Sequence, residues 1–392
     1  MKTFFSLFFV LLFYLCQAQE EEVQQVLDFG KNQGNLNMFT HIPQGLDKTK
    51  TIPLVVVMHG CTQTAGSVSH ASGWSKMADK YGFYVVFPQQ KMSNNPQNCF
   101  NFFYLHDINK GQGESGSIME MIDHMKANYS IDSTQVFAAG LSAGAAMTTV
   151  LLATYPNVFN SGAVLAGGPY KAGKNPIAAA SGMAGWIDKT PQEWGGLVRE
   201  QNPNYTGKYP RLVIYQGTMD PIVNKQNAYE LVEQWANLHQ INSIPDHTDS
   251  SFTSNDRVLR MAYENHFDEE VIVHYEIENL VHALPINRGI CEAQGGSSGL
   301  FTRDIDFYST YWILADWGLI SFPRIEQVSD NEFAVSPLPA SYYYWTTADS
   351  CKISAGQGSP EIKVDCDNTG RLNVLRTDST GCFFRFPTYL SQ

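Results

Sequence analysis

The chain reads as an α/β protein with a mostly parallel sheet, followed by a small β-rich C-terminal domain. Three observations predict this. Near-continuous β-branched runs, of which Ile52-Pro53-Leu54-Val55-Val56-Val57-Met58 is the clearest, have the composition of strands buried on both faces. These runs alternate with stretches of helical periodicity, which is how parallel strands are joined. From about Phe322 the alternation stops, and short β-prone pieces separated by turn residues take over.

Taken in order, a polar start over 19–34 leads to an expected edge strand from Leu36 to Ile42 and then to the buried run ending at Met58. Trp74 to Tyr81 is an expected helix and Tyr84-Val85-Val86-Phe87-Pro88 a second buried strand. Helical spacing of Ile118, Met119, Met121, Ile122 and Met125 predicts a helix over 118–129. Further strands are expected at Val136 to Ala139, Ala163 to Leu165, Leu212 to Tyr215 and Val271 to Ile277. Helices are expected at Asn227 to Leu238 and Tyr308 to Trp317. In the C-terminal part the β-prone pieces are Arg324 to Val328, Tyr342 to Thr347, Glu361 to Val364, Leu372 to Leu375 and Cys382 to Phe386.

A chain of 392 residues with 43% hydrophobic content can bury a full core, and a net charge of −12 argues against nucleic acid and anionic membranes as partners. Residues 1–18 have the plan of a signal peptide: Lys2, an apolar core from Phe4 to Leu15, and the small-residue site Cys16-Gln17-Ala18. That core is too short to span a bilayer, so export without a membrane anchor is expected. The catalytic part is then 19–321 and the β-rich part 322–392. Of seven cysteines, removal of Cys16 leaves six, a number that favours disulfides in an exported protein. No Cys/His spacing suits zinc, and no metal or cofactor is expected.

Chemistry enters at Gly140-Leu141-Ser142-Ala143-Gly144, which follows a short apolar strand and precedes the helical pattern from Ala145 to Thr154. Strand, G-x-S-x-G and helix make a nucleophile elbow, the layout of an α/β-hydrolase fold. A serine hydroxyl is a weak nucleophile until a base takes its proton. In that fold the order is serine, acid, histidine. Asp220 lies just past the strand Leu212 to Tyr215 and is the expected acid. Among the later histidines, His239 closes a helix, His274 points to a sheet face, and His247 and His266 have no strand before them. His282, in a loop after a strand, is the expected base. An oxyanion hole needs two N–H donors: Ala143, after the nucleophile, and Cys61, in the loop His59-Gly60-Cys61 after the early strand. The Cys61 sulfur could pair with Cys99 and hold that loop; the alternative is a free buried thiol.

The segments His59-Gly60-Cys61-Thr62-Gln63, Asn98 to Phe103, Gly111-Gln112-Gly113-Glu114, Gly140 to Gly144 with Met147, and Gly217 to Asp220 with Val223-Asn224 resemble the signature motifs of the poly(3-hydroxyalkanoate) depolymerase esterase family, which is related to secreted feruloyl and acetylxylan esterases. The resemblance covers roughly 35–320. It implies Ser142, Asp220 and His282 as a triad, Cys61 and Ala143 at the oxyanion hole, and a polyester or ester-decorated polysaccharide as substrate. Phe100 and Phe102 stand where the family is usually richer in tryptophan, and are the expected substrate contacts. Val281 and Gln216 replace the usual glycine and histidine. A rival of another class is an inactive hydrolase fold serving as a binding module.

Other signals carry less. Gly111 to Gly116 matches G-x-G-x-x-G but lacks the buried strand that a nucleotide site needs directly before it, so a loop and helix start is expected. The acidic runs Glu20 to Glu22 and Asp268 to Glu270 are expected to be solvated. Alternation along Tyr342-Tyr343-Tyr344-Trp345 puts one pair in a small core and leaves the other for a polymer surface or for a stabilising cap.

Overall fold

The structure, a computed structural model, describes residues 23–47, 49–320, 325–329, 331–335, 341–347, 351–366, 371–377 and 382–389. The expected signal peptide and the expected boundary at Phe322 lie outside the described residues. In chain order the large α/β part contains β1 (Gln24–Val26), β2 (Asn37–His41), β3 (Ile52–Met58), α1 (Ala65–Ser72), α2 (Trp74–Tyr81), β4 (Tyr84–Gln89), α3 (Leu105–Ile108), α4 (Gly113–Asn128), β5 (Ile131–Leu141) and α5 (Ala143–Thr154). It continues with β6 (Ser161–Leu165), α6 (Pro176–Met183), α7 (Pro191–Arg199), β7 (Arg211–Gly217), α8 (Gln226–His239), β8 (His247–Asp249), β9 (Val258–Glu264), β10 (Glu270–Ile277), β11 (Leu284–Ile286), β12 (Thr302–Asp304) and α9 (Ser309–Asp316). The C-terminal part contributes β13 (Ile325–Ser329), β14 (Glu332–Val335), β15 (Tyr342–Thr347), β16 (Cys351–Ala355), β17 (Glu361–Cys366), β18 (Arg371–Thr377) and β19 (Phe383–Tyr389).

One ten-stranded sheet carries the molecule, in the order β1-β2-β4-β3-β5-β6-β7-β10-β9-β8. Its centre, β4-β3-β5-β6-β7-β10, is parallel throughout. The expected mostly parallel sheet is what the structure contains, with antiparallel pairing at its edges, where β2 pairs with β4, and β9 with both β10 and β8. Side chains of β3 alternate between two cores. Val55 and Val57 join α2 and α9 on one face, while Leu54, Val56 and Met58 join α4, α5 and α8 on the other. Burial on both faces is why β3 reads as an unbroken apolar run.

Chain order reverses between β3 and β5. The chain runs from β3 outward to β4, then crosses back to lay β5 on the other side of β3. Such a switch point leaves a crevice at the carboxyl ends of the two strands, because the connections leave in opposite directions. Both His59-Gly60-Cys61 and Ser142 stand at that crevice.

Helix α4 starts five residues before the apolar spacing predicts, because its first turns bury Gly113, Glu114, Ser115 and Ser117 rather than large hydrophobes. The expected loop and helix start at Gly111 to Gly116 is what the structure contains.

The C-terminal strands form two antiparallel sheets, β13-β14-β17-β16 and β15-β18-β19. Their buried residues, including Phe333, Tyr343, Trp345, Ile362 and Val374, are continuous with one apolar cluster of the large sheet, and Cys291 is bonded to Cys382. Cys351 and Cys366 are register partners across β16 and β17. Tyr342 and Tyr344 are 75% and 57% exposed, whereas Tyr343 and Trp345 are 4% and 1% exposed, as alternation along a strand requires. The Trp345 indole N–H donates to the Ser359 carbonyl at 2.8 Å, so its polar atom is satisfied inside. Trp345→Ala is therefore expected to cost about 3–5 kcal/mol. Tyr342→Ala and Tyr344→Ala should each stay within about 0.5 kcal/mol. Chemical denaturation of the three variants checks this, and larger costs for the tyrosines than for Trp345 would mean that the faces are assigned the wrong way round.

Candidate active site

Ser142 sits between the end of β5 and the start of α5 with φ 57° and ψ −119°. A non-glycine residue there is strained, by about 1–3 kcal/mol. The two flanking glycines make the conformation possible. A Cβ on Gly140 would overlap the Gly144 backbone, and one on Gly144 would overlap the carbonyls of Met58 and His59. Only hydrogen fits at both points, so strand, helix and the neighbouring β3 loop close around the serine. The Ser142 N–H is held by the Leu165 carbonyl at 2.9 Å.

The expected acid and base are brought together. His282 Nδ1 lies 2.8 Å from Asp220 Oδ2, and both side chains are buried. The other carboxylate oxygen accepts the N–H groups of Ile222 at 2.8 Å and Val223 at 2.9 Å. Asp220 thus presents a fixed oxygen to the ring. A carboxylate only accepts, so Nδ1 carries the proton and Nε2 is left as the basic nitrogen. The loops bearing the two residues follow β7 and β10. They are stitched by Met219 N–H to the Leu280 carbonyl and Thr218 N–H to the Ile277 carbonyl, at 3.1 and 3.0 Å. A Cβ on Gly217 would overlap the Leu280 carbonyl oxygen, so glycine is what lets these loops touch. Gln216 donates to the Val223 carbonyl at 3.0 Å and braces the Asp220 turn.

The other histidines lie elsewhere. His274 is fully buried within β10, where desolvation depresses its pKa to about 3. His239 faces the Pro210 carbonyl at the opposite end of the sheet, His247 pairs with Glu264, and His266 lines a cavity beside the start of β7.

Ser142 and His282 line one cavity of about 350 Å³ together with Cys61 and Ala143. Ala143 is the first residue of α5, where N–H groups have no intrahelical partner. Cys61 is bonded to Cys99, as the paired alternative requires. The loop is held by further contacts that sequence reasoning left unread. The Gly60 N–H donates to Gln63 Oε1 at 2.8 Å, and Asn98 Nδ2 donates to the Gln63 carbonyl at 2.6 Å. His59 is fully buried and desolvation lowers its pKa to about 4, so its ring is neutral. The Gln90 N–H donates to its Nε2 at 3.1 Å, which leaves Nδ1–H to donate to the Gly60 carbonyl at 2.7 Å. That carbonyl belongs to the same peptide plane as the Cys61 N–H. Holding one end aims the other, on the opposite side of the plane.

Phe100, an expected substrate contact, does not line this cavity. It is 0% exposed and packs against the His59 ring with centroids 4.9 Å apart, beneath the loop. Phe102 does line the cavity, and Phe103 joins it. The far wall comes from the segment after β6, including Gly167, Gly173, Ala179, Gly182 and Met183. Gly173 lies directly against Ala179, so this segment is closely packed on itself. Val150, Ile222 and Phe301 complete an apolar lining, and among the described residues no carboxylate lines it. No described helix is long and apolar enough to cross a membrane.

The Cys61–Cys99 bond generates a specific expectation. Well below the melting temperature, Cys99→Ser should lose about ten- to hundredfold in kcat because the loop is misplaced. Activity measured beside a folded-state signal checks this; full activity in the folded variant would show that the bond only stabilises.

A family model described as esterase PHB depolymerase matches residues 36–257. Poly(3-hydroxyalkanoate) depolymerase C of Paucimonas lemoignei is 43% identical over 296 residues, which are 76% of this chain and 70% of that protein. Feruloyl esterase B of Neurospora crassa is 35% identical over 223 residues, 55% of this chain and 74% of that one. Among solved structures, an acetyl xylan esterase from Aspergillus awamori superposes with a TM-score of 0.61 at 27% identity, covering 66% of this chain and 93% of that chain. With the elbow, the Asp220–His282 pair and the shared cavity, these matches lead to one conclusion: the chain belongs to the PHB depolymerase esterase family and is a serine esterase of the α/β-hydrolase fold.

Proposed function

We propose that this chain is an exported serine esterase that cleaves aliphatic hydroxyacid polyesters of the polyhydroxybutyrate type. The observation that carries the catalytic half is the Asp220–His282 hydrogen bond, whose histidine lines the same cavity as Ser142. Ser142 Oγ attacks the ester carbonyl as His282 Nε2 takes its proton. Asp220 fixes the ring and offsets the imidazolium charge. The N–H groups of Cys61 and Ala143 stabilise the tetrahedral oxyanion. His282 then gives its proton to the departing alcohol, and the acyl-enzyme is hydrolysed by water that the same histidine activates.

The substrate half is supported by the 43% identity to a poly(3-hydroxyalkanoate) depolymerase and by the lining of the cavity. A polyester is apolar between its ester groups, and Phe102, Phe103, Val150, Met183 and Ile222 suit such a chain. The second reading, removal of feruloyl or acetyl groups from xylan, is supported by the relatives named for those activities. Release of product from polyhydroxybutyrate film, methyl ferulate and acetylated xylan separates the two. Film hydrolysis is expected to dominate, and activity confined to xylan esters would overturn the polyester reading.

Ser142→Ala is expected to lower kcat by about five to six orders of magnitude, and His282→Ala nearly as much, because the members act as a unit. The double variant should be no worse than either alone. Retention of most activity by His282→Ala would remove it from the triad. Tyr342 and Tyr344, both exposed on β15, support the reading of the C-terminal strands as a face that adsorbs polymer. Replacing both by alanine should reduce hydrolysis of film and leave a soluble short-chain ester unaffected. Equal rates on film before and after the change would leave those strands as a structural cap.

A further inference from the structure

Glu114 has no part in the chemistry above, yet it is a carboxyl with 1% exposure in the first turn of α4. Glycines press in around it. A Cβ on Gly34 would overlap the Glu114 backbone, and one on Gly113 would overlap the Asp107 side chain. Burial, with the nearby Asp107 charge adding to it, pushes the Glu114 pKa up to about 8. A carboxyl is kept there at a cost, and both its oxygens are used. Oε1 accepts from the Gln90 side-chain amide, and Oε2 accepts from the Asn101 N–H at 2.8 Å.

Each contact leads to the active site. The Gln90 amide also donates to the Cys99 carbonyl at 3.1 Å, and its oxygen accepts the Lys91 N–H at 2.8 Å, which fixes which end is nitrogen. The Gln90 backbone N–H holds His59 Nε2, and His59 Nδ1–H holds the Gly60 carbonyl. Asn101 directly precedes Phe102 and Phe103, which line the cavity. Cys99, bonded to Cys61, lies between the two anchored points. Two routes therefore join one carboxyl to the peptide Gly60–Cys61: a chain of hydrogen bonds through Gln90 and His59, and the disulfide through Cys99.

We infer that Glu114 is a positioning residue for the oxyanion hole, clamping the 90–101 loop so that the Cys61 N–H is aimed at the developing oxyanion. The inference rests on the proposed roles of Ser142 and Cys61. Its signature is a defect in the transition state and not in ground-state binding, since the clamp aims a donor without touching substrate.

Above pH about 8, where the carboxyl is ionised and both its oxygens accept, Glu114→Gln is nearly isosteric but presents one acceptor and one amide NH2 to two N–H donors, so one link is lost. With p-nitrophenyl butyrate, kcat is expected to fall about 10- to 100-fold while KM stays within about twofold. A trifluoromethyl ketone, whose adduct with serine carries an oxyanion, should bind more weakly by the same factor. Gln90→Met breaks the chain from its other side and should give the same pattern, and it carries the test alone if Glu114→Gln does not fold. The double variant should be no worse than the poorer single one, because both interrupt one path. Unchanged kcat and inhibitor affinity with a lowered melting temperature would overturn the inference, as would a rise in KM at constant kcat. Labelling with a fluorophosphonate separates the two readings. Failure to modify Ser142 in the unaltered protein would sink the site assignment itself, whereas normal labelling in all variants keeps the test on Glu114.

Discussion

The whole arrangement depends on one steric constraint: β5, α5 and the end of β3 meet where Gly140 and Gly144 have no side chains. That contact leaves the residue between them no ordinary backbone conformation. Ser142 takes up a strained one, with its hydroxyl lifted to the cavity. The strain persists because the surroundings are over-determined by burial, with every residue from Val136 to Leu141 inside. A hydrophobic sheet is thus the device that stores the geometry a nucleophile needs.

Around the elbow the polar groups are fixed by backbone more than by other side chains. Asp220 is held by two N–H groups, His59 by an N–H and a carbonyl, and Glu114 by an N–H on one of its oxygens. Backbone partners belong to elements that are already packed, so little conformational freedom remains to be lost when substrate arrives. Two covalent ties add to this, one in the oxyanion loop and one nine residues after His282.

Much of this was legible in the sequence. Runs such as Ile52 to Met58 announce themselves because burial on both faces forces an unbroken apolar composition. The elbow is legible because its glycines are sterically obligatory. Asp220 and His282 follow from strand order, since side chains at the ends of parallel strands converge. What was not legible depends on three-dimensional neighbours. Phe100 and Phe102 are chemically alike and two residues apart, and only the packing of His59 decides which one is core. The start of α4 was hidden because polar residues fill the buried positions there. Glu114 reads as a surface acid until Gly34, distant in sequence, is seen lying across it. Strands β8 and β9 were missed because β8 is only three residues long and β9 carries no continuous apolar run.

The cavity wall after β6 separates two kinds of change. The proposed nucleophile, acid, base and oxyanion donors hang from β3, β5, β7 and β10, whereas the wall from Gly167 to Met183 is inserted between β6 and β7 and carries none of them. Insertions or bulkier residues in that one segment would reshape the cavity without moving Ser142, Asp220 or His282. Evolution can therefore vary what is cleaved while leaving how it is cleaved intact. Relatives 35–43% identical to this chain are named for polyester, feruloyl and acetylxylan substrates, as such a modular division would allow.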